Sequence, residues 1–307
     1  MIPAAAGATA SSRTVGLVFS GMCLIWGSTF VVLKMGLAGT PPILGVALRH
    51  LLASVLLFLI VIPKRLPIPT DRLAISQYLT LGLLNFFLSY VLTYTGTQYI
   101  YSNISALLWG SVPITTALVA HLTLPTERLT WMKGGGILVG FGGVMLIFFG
   151  YGVGKSENLL LGMLLVMGAV LAGTWPGVYL KRRPSRSNPI VLNAVATGIG
   201  GLASLLVSSV TESHIPMVWS PRNIGIILYL ALFGTVLAWV SYYYLLQHMT
   251  VVKLSFVGFI APLIATFMGL IVLGEVLPPT VFLGGFLILL GIFLTDARRY
   301  LRLVRRG

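Results

Sequence analysis

The stretch Val15–Leu37 reads VGLVFSGMCLIWGSTFVVLKMGL and carries a single charge, Lys34. A hydrocarbon core about 30 Å thick is spanned by about 20 apolar residues in a helix, so this stretch predicts a membrane-spanning helix. It is longer than the apolar part of a signal peptide and lacks an Ala-x-Ala cleavage site, so we expect it to be retained. The whole chain has this character, because 57% of its 307 residues are hydrophobic and 8% are charged. Soluble domains carry about 25% charged residues, so the sequence predicts an integral membrane protein.

Nine further apolar runs of similar length follow between charged or proline-rich breaks. The ten predicted spans cover residues 15–37, 43–62, 74–95, 101–122, 132–150, 158–180, 190–210, 223–246, 252–274 and 279–296. Sixteen of the twenty lysines and arginines then fall on one side of the membrane, three fall on the other, and Arg49 lies within a span. Because positive residues collect on the cytoplasmic side, both termini are predicted to be cytoplasmic. The net charge of +14 thus belongs to the flanks of spans and does not indicate a nucleic-acid partner.

The sequence matches itself at an offset of 149 residues. The matching pairs are Trp26 and Trp175, Tyr94 and Tyr243, Gln98 and Gln247, Pro113 and Pro262, and Gly142 and Gly291. A constant offset over several helices predicts a duplicated five-helix unit, with one copy in residues 1–150 and the second in residues 151–307. Since each copy has an odd number of spans, the second copy is inverted. The predicted fold is all-α, and inverted repeats are the common build of alternating-access transporters. A duplicated scaffold without moving parts is the alternative.

Three motifs of the first copy carry a family resemblance: LIWGSTF at Leu24–Phe30, PILGVALR at Pro42–Arg49 and ERLT at Glu127–Thr130. The second copy ends on the same pattern at Gly274-Glu275. The sequence resembles the EamA-type exporters of the drug/metabolite transporter superfamily over nearly its whole length. The resemblance implies ten helices, a bacterial inner-membrane location and export of small molecules by alternating access. Within the superfamily the sequence is most similar to the aromatic amino-acid exporters, which implies aromatic and other small neutral amino acids as substrates.

Arg49 is the one residue with a full charge that lies clearly inside a predicted span. A charge within the bilayer costs a few kcal/mol or more, so such a residue is a candidate for function. Arg49 either holds a substrate carboxylate or tethers its helix to neighbouring carbonyls. Gly198 stands at the equivalent position of the second copy, and Pro176 stands where the first copy has Gly27. Any role of Arg49 therefore belongs to one copy only.

Aromatic residues far from the predicted membrane surfaces form the second candidate feature. The predicted substrate-binding residues are Tyr90, Tyr94, Trp109, Trp175, Trp239 and Tyr242, together with Arg49. Such rings enclose cavities in which apolar groups stack, although the same rings also serve to pack helices. Pro113 and Pro262 are equivalent and lie within spans, where each removes a backbone hydrogen bond. We expect them to act as hinges of two gates, and a fixed kink needed for packing is the alternative.

The six acidic residues lie in loops or near span ends, and the chain has one cysteine, Cys23. This distribution supplies no catalytic residues, metal site or cofactor site, so an enzyme is not predicted. It also gives little support to obligatory proton coupling, and facilitated export carries comparable weight. An exporter of drugs or lipophilic metabolites is the nearer alternative function, and an intramembrane lipid enzyme or a non-transporting scaffold is the remote one. The expected partners are a small-molecule substrate and membrane lipids, and the oligomeric state stays open, a monomer included.

Overall fold

The computed structural model describes residues 12–123, 131–151, 157–183, 187–249, 254 and 257–304. All regular secondary structure in these ranges is helical. The helices are α1 (Ser12–Gly36), α2 (Pro42–Val61), α3 (Arg72–Thr80), π1 (Leu81–Ser89), α4 (Tyr90–Tyr99), α5 (Ser102–Trp109), α6 (Val112–Thr123), α7 (Trp131–Tyr151), α8 (Glu157–Arg182), α9 (Pro189–Thr211), α10 (Pro221–Ala231), π2 (Leu232–Leu237), α11 (Ala238–His248), α12 (Val257–Leu273) and α13 (Pro279–Val304). Helices satisfy their own backbone groups, which a bilayer requires.

Seven helical stretches are long and apolar enough to cross a membrane. They are Ser12–Gly36, Pro42–Val61, Arg72–Tyr99, Ser102–Thr123, Asn158–Leu180, Pro189–Thr211 and Pro221–Tyr242. Three shorter apolar helices, Gly134–Gly150, Ile260–Leu273 and Pro279–Gly291, coincide with the remaining predicted spans. The described part of the chain is therefore helical and has the composition of a membrane protein. The full count of ten crossings, the side on which the termini lie and the boundary between copies at residue 150 stay predictions.

Helix starts follow local chemistry. Proline occupies the first turn of α2 at Pro42 and of α10 at Pro221, where its missing N–H costs nothing. The side chain of Asp71 accepts from two backbone N–H groups at the start of α3, and that of Ser220 accepts from one at the start of α10. These caps satisfy donors that a helix cannot satisfy itself, so the breaks read in the sequence are helix ends in the structure.

Two stretches of π-helix interrupt the third and eighth predicted spans. Shifted by 149 residues, π1 (Leu81–Ser89) covers positions 230–238, which contain the whole of π2 (Leu232–Leu237). The two copies thus share an unusual backbone feature at the same place. A π-helix leaves carbonyl groups less regularly paired than an α-helix does, and such segments are frequent at functional sites.

The two equivalent prolines differ in their backbone surroundings. Pro262 lies inside the continuous helix α12. Pro113 instead lies at the second position of α6, after the helix has broken at residues 110 and 111. A proline in a first turn needs no hydrogen bond from its nitrogen, so the first copy has a true helix break where the sequence indicated a bend. The matched pair of kinks expected from the sequence is therefore an unequal pair in the structure.

Helices that are equivalent by the 149-residue offset pack against each other. The most extensive contacts are between α7 and α13 and between α2 and α9. Glycine allows the closest approach at the first of these interfaces, because a Cβ added to Gly284 would lie 2.6 Å from the carbonyl oxygen of Gly143. The same Cβ would lie 3.1 Å from the backbone nitrogen of Ile147, so backbone surrounds it on the facing helix.

We expect Gly284→Ala to lower the free energy of unfolding by about 1–3 kcal/mol, because the added methyl group forces α7 and α13 apart. The matched control is Gly135→Ala, since a Cβ at Gly135 meets nothing within 4 Å. That control should be neutral or slightly stabilising, because alanine favours a helix over glycine. Thermal unfolding of both variants in detergent tests this expectation, and equal melting temperatures would contradict it.

Candidate functional site

A cavity of about 380 Å³ is lined by residues from both predicted copies. This volume lies within the range of about 300–1,000 Å³ that is usual for small-molecule sites. Its aromatic lining consists of Trp26, Phe30, Tyr90, Trp109, Trp239 and Tyr242. Both π-helical segments also reach it, through Asn85 of π1 and Gly234 of π2. The site is a largely apolar cavity with a small number of polar groups.

Three of the aromatic rings form one continuous wall. The ring centre of Trp26 lies 6.1 Å from that of Trp239 and 6.1 Å from that of Tyr242. Trp239 and Tyr242 are 5.7 Å apart and nearly perpendicular. At these separations the rings contact one another and leave no room for a group between them. A flat apolar substituent can stack on the face of this wall, but it cannot insert between the three rings.

Arg49 is held on three sides and lines the cavity. Its Nε donates to Thr235 Oγ1 over 3.0 Å, and its Nη2 donates to the Gly234 carbonyl over 3.0 Å. Its Nη1 donates to the Tyr94 hydroxyl over 3.3 Å, and its Cζ lies 4.8 Å above the Tyr90 ring. No carboxylate pairs with it among the residues that the structure describes. A guanidinium has five N–H groups, so two remain without a partner in the described part of the chain.

The second copy supplies the carbonyl that fixes Arg49. Gly234 belongs to π2, and a Cβ added there would lie 3.0 Å from Arg49 Nη2. A larger residue would therefore displace the guanidinium. Arg49 is on α2 and its two firmest acceptors are on π2, so this side chain joins the two predicted copies beside the cavity.

Asn85 is a polar lining residue that the sequence reading did not select. It lies in the stretch LGLLNFFLS of π1, is 8% exposed, and has no hydrogen bond among the described residues. The sequence signal that could have identified Asn85 is the presence of a single amide residue in an apolar run. Asn85 and Gly234 are equivalent by the 149-residue offset, and both line the cavity. The first copy has an amide side chain at this position, whereas the second copy has no side chain there and its backbone carbonyl accepts from Arg49.

The structure brings most of the expected site residues together. Tyr90, Trp109, Trp239, Tyr242 and Arg49 line the cavity, as do Pro113 and Pro262. Tyr94 does not line it, but its hydroxyl accepts a hydrogen bond from Arg49. Trp109 is oriented by a hydrogen bond of 3.2 Å from its Nε1 to Thr93 Oγ1.

Trp175 is the expected residue that lies elsewhere, because it is 44% exposed and does not line the cavity. Helix α8 turns Gly173 toward the cavity, where an added Cβ would lie 3.2 Å from the Trp109 ring. The next residue, Thr174, is buried and shares a hydrogen bond of 3.0 Å with Thr115. Since successive helical residues point about 100° apart, Trp175 faces outward.

His50 is completely buried but does not line the cavity. Its ring packs perpendicular to Phe86 and Tyr90, with ring centres 5.2 and 4.5 Å away. Neither ring nitrogen has a hydrogen-bond partner among the described residues. His50 thus packs against the cavity-lining ring of Tyr90 and does not itself line the cavity.

Two buried carboxylates of the second copy cap helices of the first copy. Glu275 accepts from the backbone N–H of Ser102 over 2.6 Å and from that of Asn103 over 3.1 Å, and it also accepts from the Ser102 hydroxyl. Glu212 accepts from the backbone N–H groups of Ile43 and Leu44 over 3.0 and 2.8 Å. Negative charge at a helix N-terminus is stabilising, so these residues fasten α5 and α2 to the second copy.

A second, much smaller void of about 10 Å³ is lined by residues of α1, α2, α4 and α10. Leu33 lines both spaces, whereas Tyr94 lines the small void only. Thr40 and Pro41, which directly precede α2, also line the small void.

A bundle of apolar helices around a cavity that both copies line is typical of membrane transporters of small molecules. No cluster of metal-binding side chains occurs among the residues described. The chain belongs to the EamA-like transporter family, whose model matches residues 14–149 and again residues 160–295. The double match agrees with the internal duplication, and membership points to a transporter and away from an enzyme.

Several curated proteins are similar over most of the chain. The S-adenosylmethionine/S-adenosylhomocysteine transporter of Chlamydia trachomatis serovar L2 is 30% identical over 86% of this chain and 84% of its own length. The uncharacterized transporter YoaV of Bacillus subtilis is 29% identical over 88% of this chain and 92% of its own. The uncharacterized inner membrane transporter YedA of Escherichia coli K12 is 24% identical over 93% of this chain and 91% of its own. These similarities support an integral inner-membrane protein.

A solved crystal structure has the same fold. It superposes with a TM-score of 0.65, covering 94% of this chain and 99% of that chain at 19% sequence identity. At this identity the likeness concerns the arrangement of the helices alone.

We expect Glu275→Gln to destabilise the protein by about 1–3 kcal/mol, because both carboxylate oxygens accept hydrogen bonds and an amide would turn an N–H₂ toward one of the donors. Asp71→Asn is the matched control, since asparagine caps a helix about as well as aspartate does. Thermal unfolding in detergent measures both. A Glu275→Gln protein as stable as the control would show that the cap contributes little.

Proposed function

We propose that this transporter exports amino acids and related zwitterionic metabolites, and that its cavity is the substrate site. The observation that carries the proposal is a buried guanidinium with two unused N–H groups at the edge of an aromatic cavity. A buried charge without a counter-ion is costly, and a substrate carboxylate would supply the missing partner. Hydrogen bonds between ionised partners are about twice as strong as neutral ones, so this contact favours carboxylates.

The amino group of such a substrate needs an acceptor within the same cavity. The Asn85 amide oxygen is available, because this side chain has no hydrogen bond among the described residues and borders the cavity. Asn85 and Arg49 would then bind the two ends of an α-amino acid head group. A lipophilic cation without a carboxylate meets only like charge at Arg49, which argues against the multidrug alternative.

The substrate side chain would stack on the aromatic wall of Trp26, Trp239 and Tyr242. Aromatic and other apolar side chains gain both buried area and ring contacts there. The cavity of about 380 Å³ also leaves room for a head group and a large side chain together. Aromatic amino acids therefore fit better than small hydroxylated ones, although both carry the head group.

Transport would proceed by alternating access between the two copies. Glu212 and Glu275 hold the copies together at one end of the bundle, which the charge distribution of the loops predicts to be the outer end. Pro113 and Pro262 line the cavity and are proposed as hinges, the first at a helix break and the second within a continuous helix. The export direction rests on the resemblance to exporters. Facilitated export without proton coupling is proposed, since His50 packs against Tyr90 and does not line the cavity.

An amino acid that carries a nucleoside is the second candidate substrate class. The relative from Chlamydia trachomatis is named an S-adenosylmethionine/S-adenosylhomocysteine transporter. S-adenosylhomocysteine has the head group that Arg49 and Asn85 would bind and an adenine ring that can stack on the wall. The two candidates share the head-group chemistry and differ in the size of the stacked group, so one transport panel separates them.

Purified protein in proteoliposomes should accumulate labelled phenylalanine faster than empty liposomes do. Threonine, methionine and S-adenosylmethionine are measured in parallel, with and without an imposed pH gradient. Facilitated transport predicts that the gradient leaves the initial rate unchanged. Flux of S-adenosylmethionine alone would favour the second candidate, and no flux above empty liposomes for any amino acid would refute the proposal.

We expect Arg49→Gln to abolish the preference for carboxylates. In the unmodified protein, phenylalanine should compete for transport at least tenfold better than phenylalaninamide, which corresponds to about 1.4 kcal/mol. In Arg49→Gln the two competitors should become similar, because the cationic donor is gone. Arg222→Gln, at an exposed helix start, is the control and should keep the preference. Equal competition in the unmodified protein would leave Arg49 a structural residue.

A further inference from the structure

We propose that Gly258 sets the largest substrate side chain that the cavity admits. This inference rests on the proposed function and concerns the same cavity. Gly258 is equivalent to Trp109 by the 149-residue offset, and both positions line the cavity. A tryptophan in the first copy is thus matched by the absence of any side chain in the second. The cavity owes part of its volume to this difference.

The space beside Gly258 is open, which distinguishes it from other glycines that line the cavity. Among the described residues, a Cβ at Gly258 would meet one heavy atom, Pro113 Cγ at 3.7 Å, an ordinary contact distance. At Gly173 the added atom would lie 2.9 Å from Ser89 Oγ, and at Gly234 it would lie 3.0 Å from Arg49 Nη2.

Gly110, the fourth glycine of the lining, is also enclosed. Its Cβ would lie 2.9 Å from the carbonyl oxygen of Leu107 and 3.5 Å from Pro262 Cγ. Three of the four glycines are therefore required by the packing of the protein itself. Gly258 has no such requirement among the described residues, so its missing side chain leaves space in the cavity that a ligand can use.

A side chain at Gly258 would grow into the cavity and compete with the substrate for volume. A pocket discriminates between ligands that differ by one methylene by about 10–200-fold, so a few added carbon atoms are enough to exclude a large substrate. The head-group contacts with Arg49 and Asn85 come from α2 and π1 and would be unaffected. Large side chains should be lost first, and small ones should be retained.

The test is a graded series, Gly258→Ala, Gly258→Leu and Gly258→Trp, in proteoliposomes. Initial rates are measured for labelled tryptophan and threonine, and the result is their ratio. We expect the tryptophan-to-threonine ratio to fall slightly with alanine and about tenfold or more with leucine and tryptophan. The alanine and leucine variants carry the test should the tryptophan variant fail to fold.

Gly177→Leu is the matched control. Gly177 is an exposed helical glycine whose added Cβ meets nothing within 4 Å, and it does not line the cavity. The same change of residue there should leave the ratio as in the unmodified protein. An unchanged ratio in Gly258→Leu, or an equal loss of both substrates, would overturn the role of Gly258 while transport by the unmodified protein still supports the proposed function. Absence of all flux in the unmodified protein would instead overturn the function.

Discussion

A charged guanidinium buried inside an apolar helix bundle is the constraint around which this structure is arranged. Arg49 is 3% exposed and has no carboxylate partner among the described residues. Such a group is tolerated only when neighbouring dipoles replace water. Two of those neighbours are the Gly234 carbonyl and the Thr235 hydroxyl, both in π2. The arginine of one copy thus depends on the irregular backbone of the other, and its side chain lines the cavity.

The two copies agree in backbone and differ in the side chains that shape the cavity. Both contain a π-helical segment at the same position, and equivalent helices pack against each other. Three of the pairs that differ are Arg49 and Gly198, Asn85 and Gly234, and Trp109 and Gly258. A duplication supplies two similar halves, whereas a site for an asymmetric molecule needs different groups at its two ends. The substitutions between the copies supply that difference.

The sequence predicted the class of fold because hydrophobic runs of fixed length have one stable solution in a bilayer. It also selected Arg49 and most of the cavity aromatics, since charge and large rings inside a span are conspicuous. It also selected Trp175, which does not line the cavity in the structure, because the orientation of one ring depends on which face of α8 approaches its neighbours. It overlooked Gly173 and the π-helical segments, because backbone irregularity and missing side chains leave little trace in composition. It also overlooked Asn85, although a single amide residue in an apolar run is visible in the sequence. Glu127, the sequence counterpart of Glu275, lies outside the described residues.

A carboxylate bound by Arg49 would also affect the hydrogen bond between Arg49 and Tyr94. One hydrogen bond from the guanidinium holds the Tyr94 hydroxyl at 3.3 Å, the longest of its three bonds. Tyr94 in turn lines the small void, whose wall also includes Thr40 and Pro41 directly before α2. A carboxylate that drew Nη1 toward the cavity would weaken its bond to Tyr94 before the two shorter bonds to π2. Substrate binding would then alter the surroundings of Tyr94 through one side chain, without any change in the rest of the cavity wall.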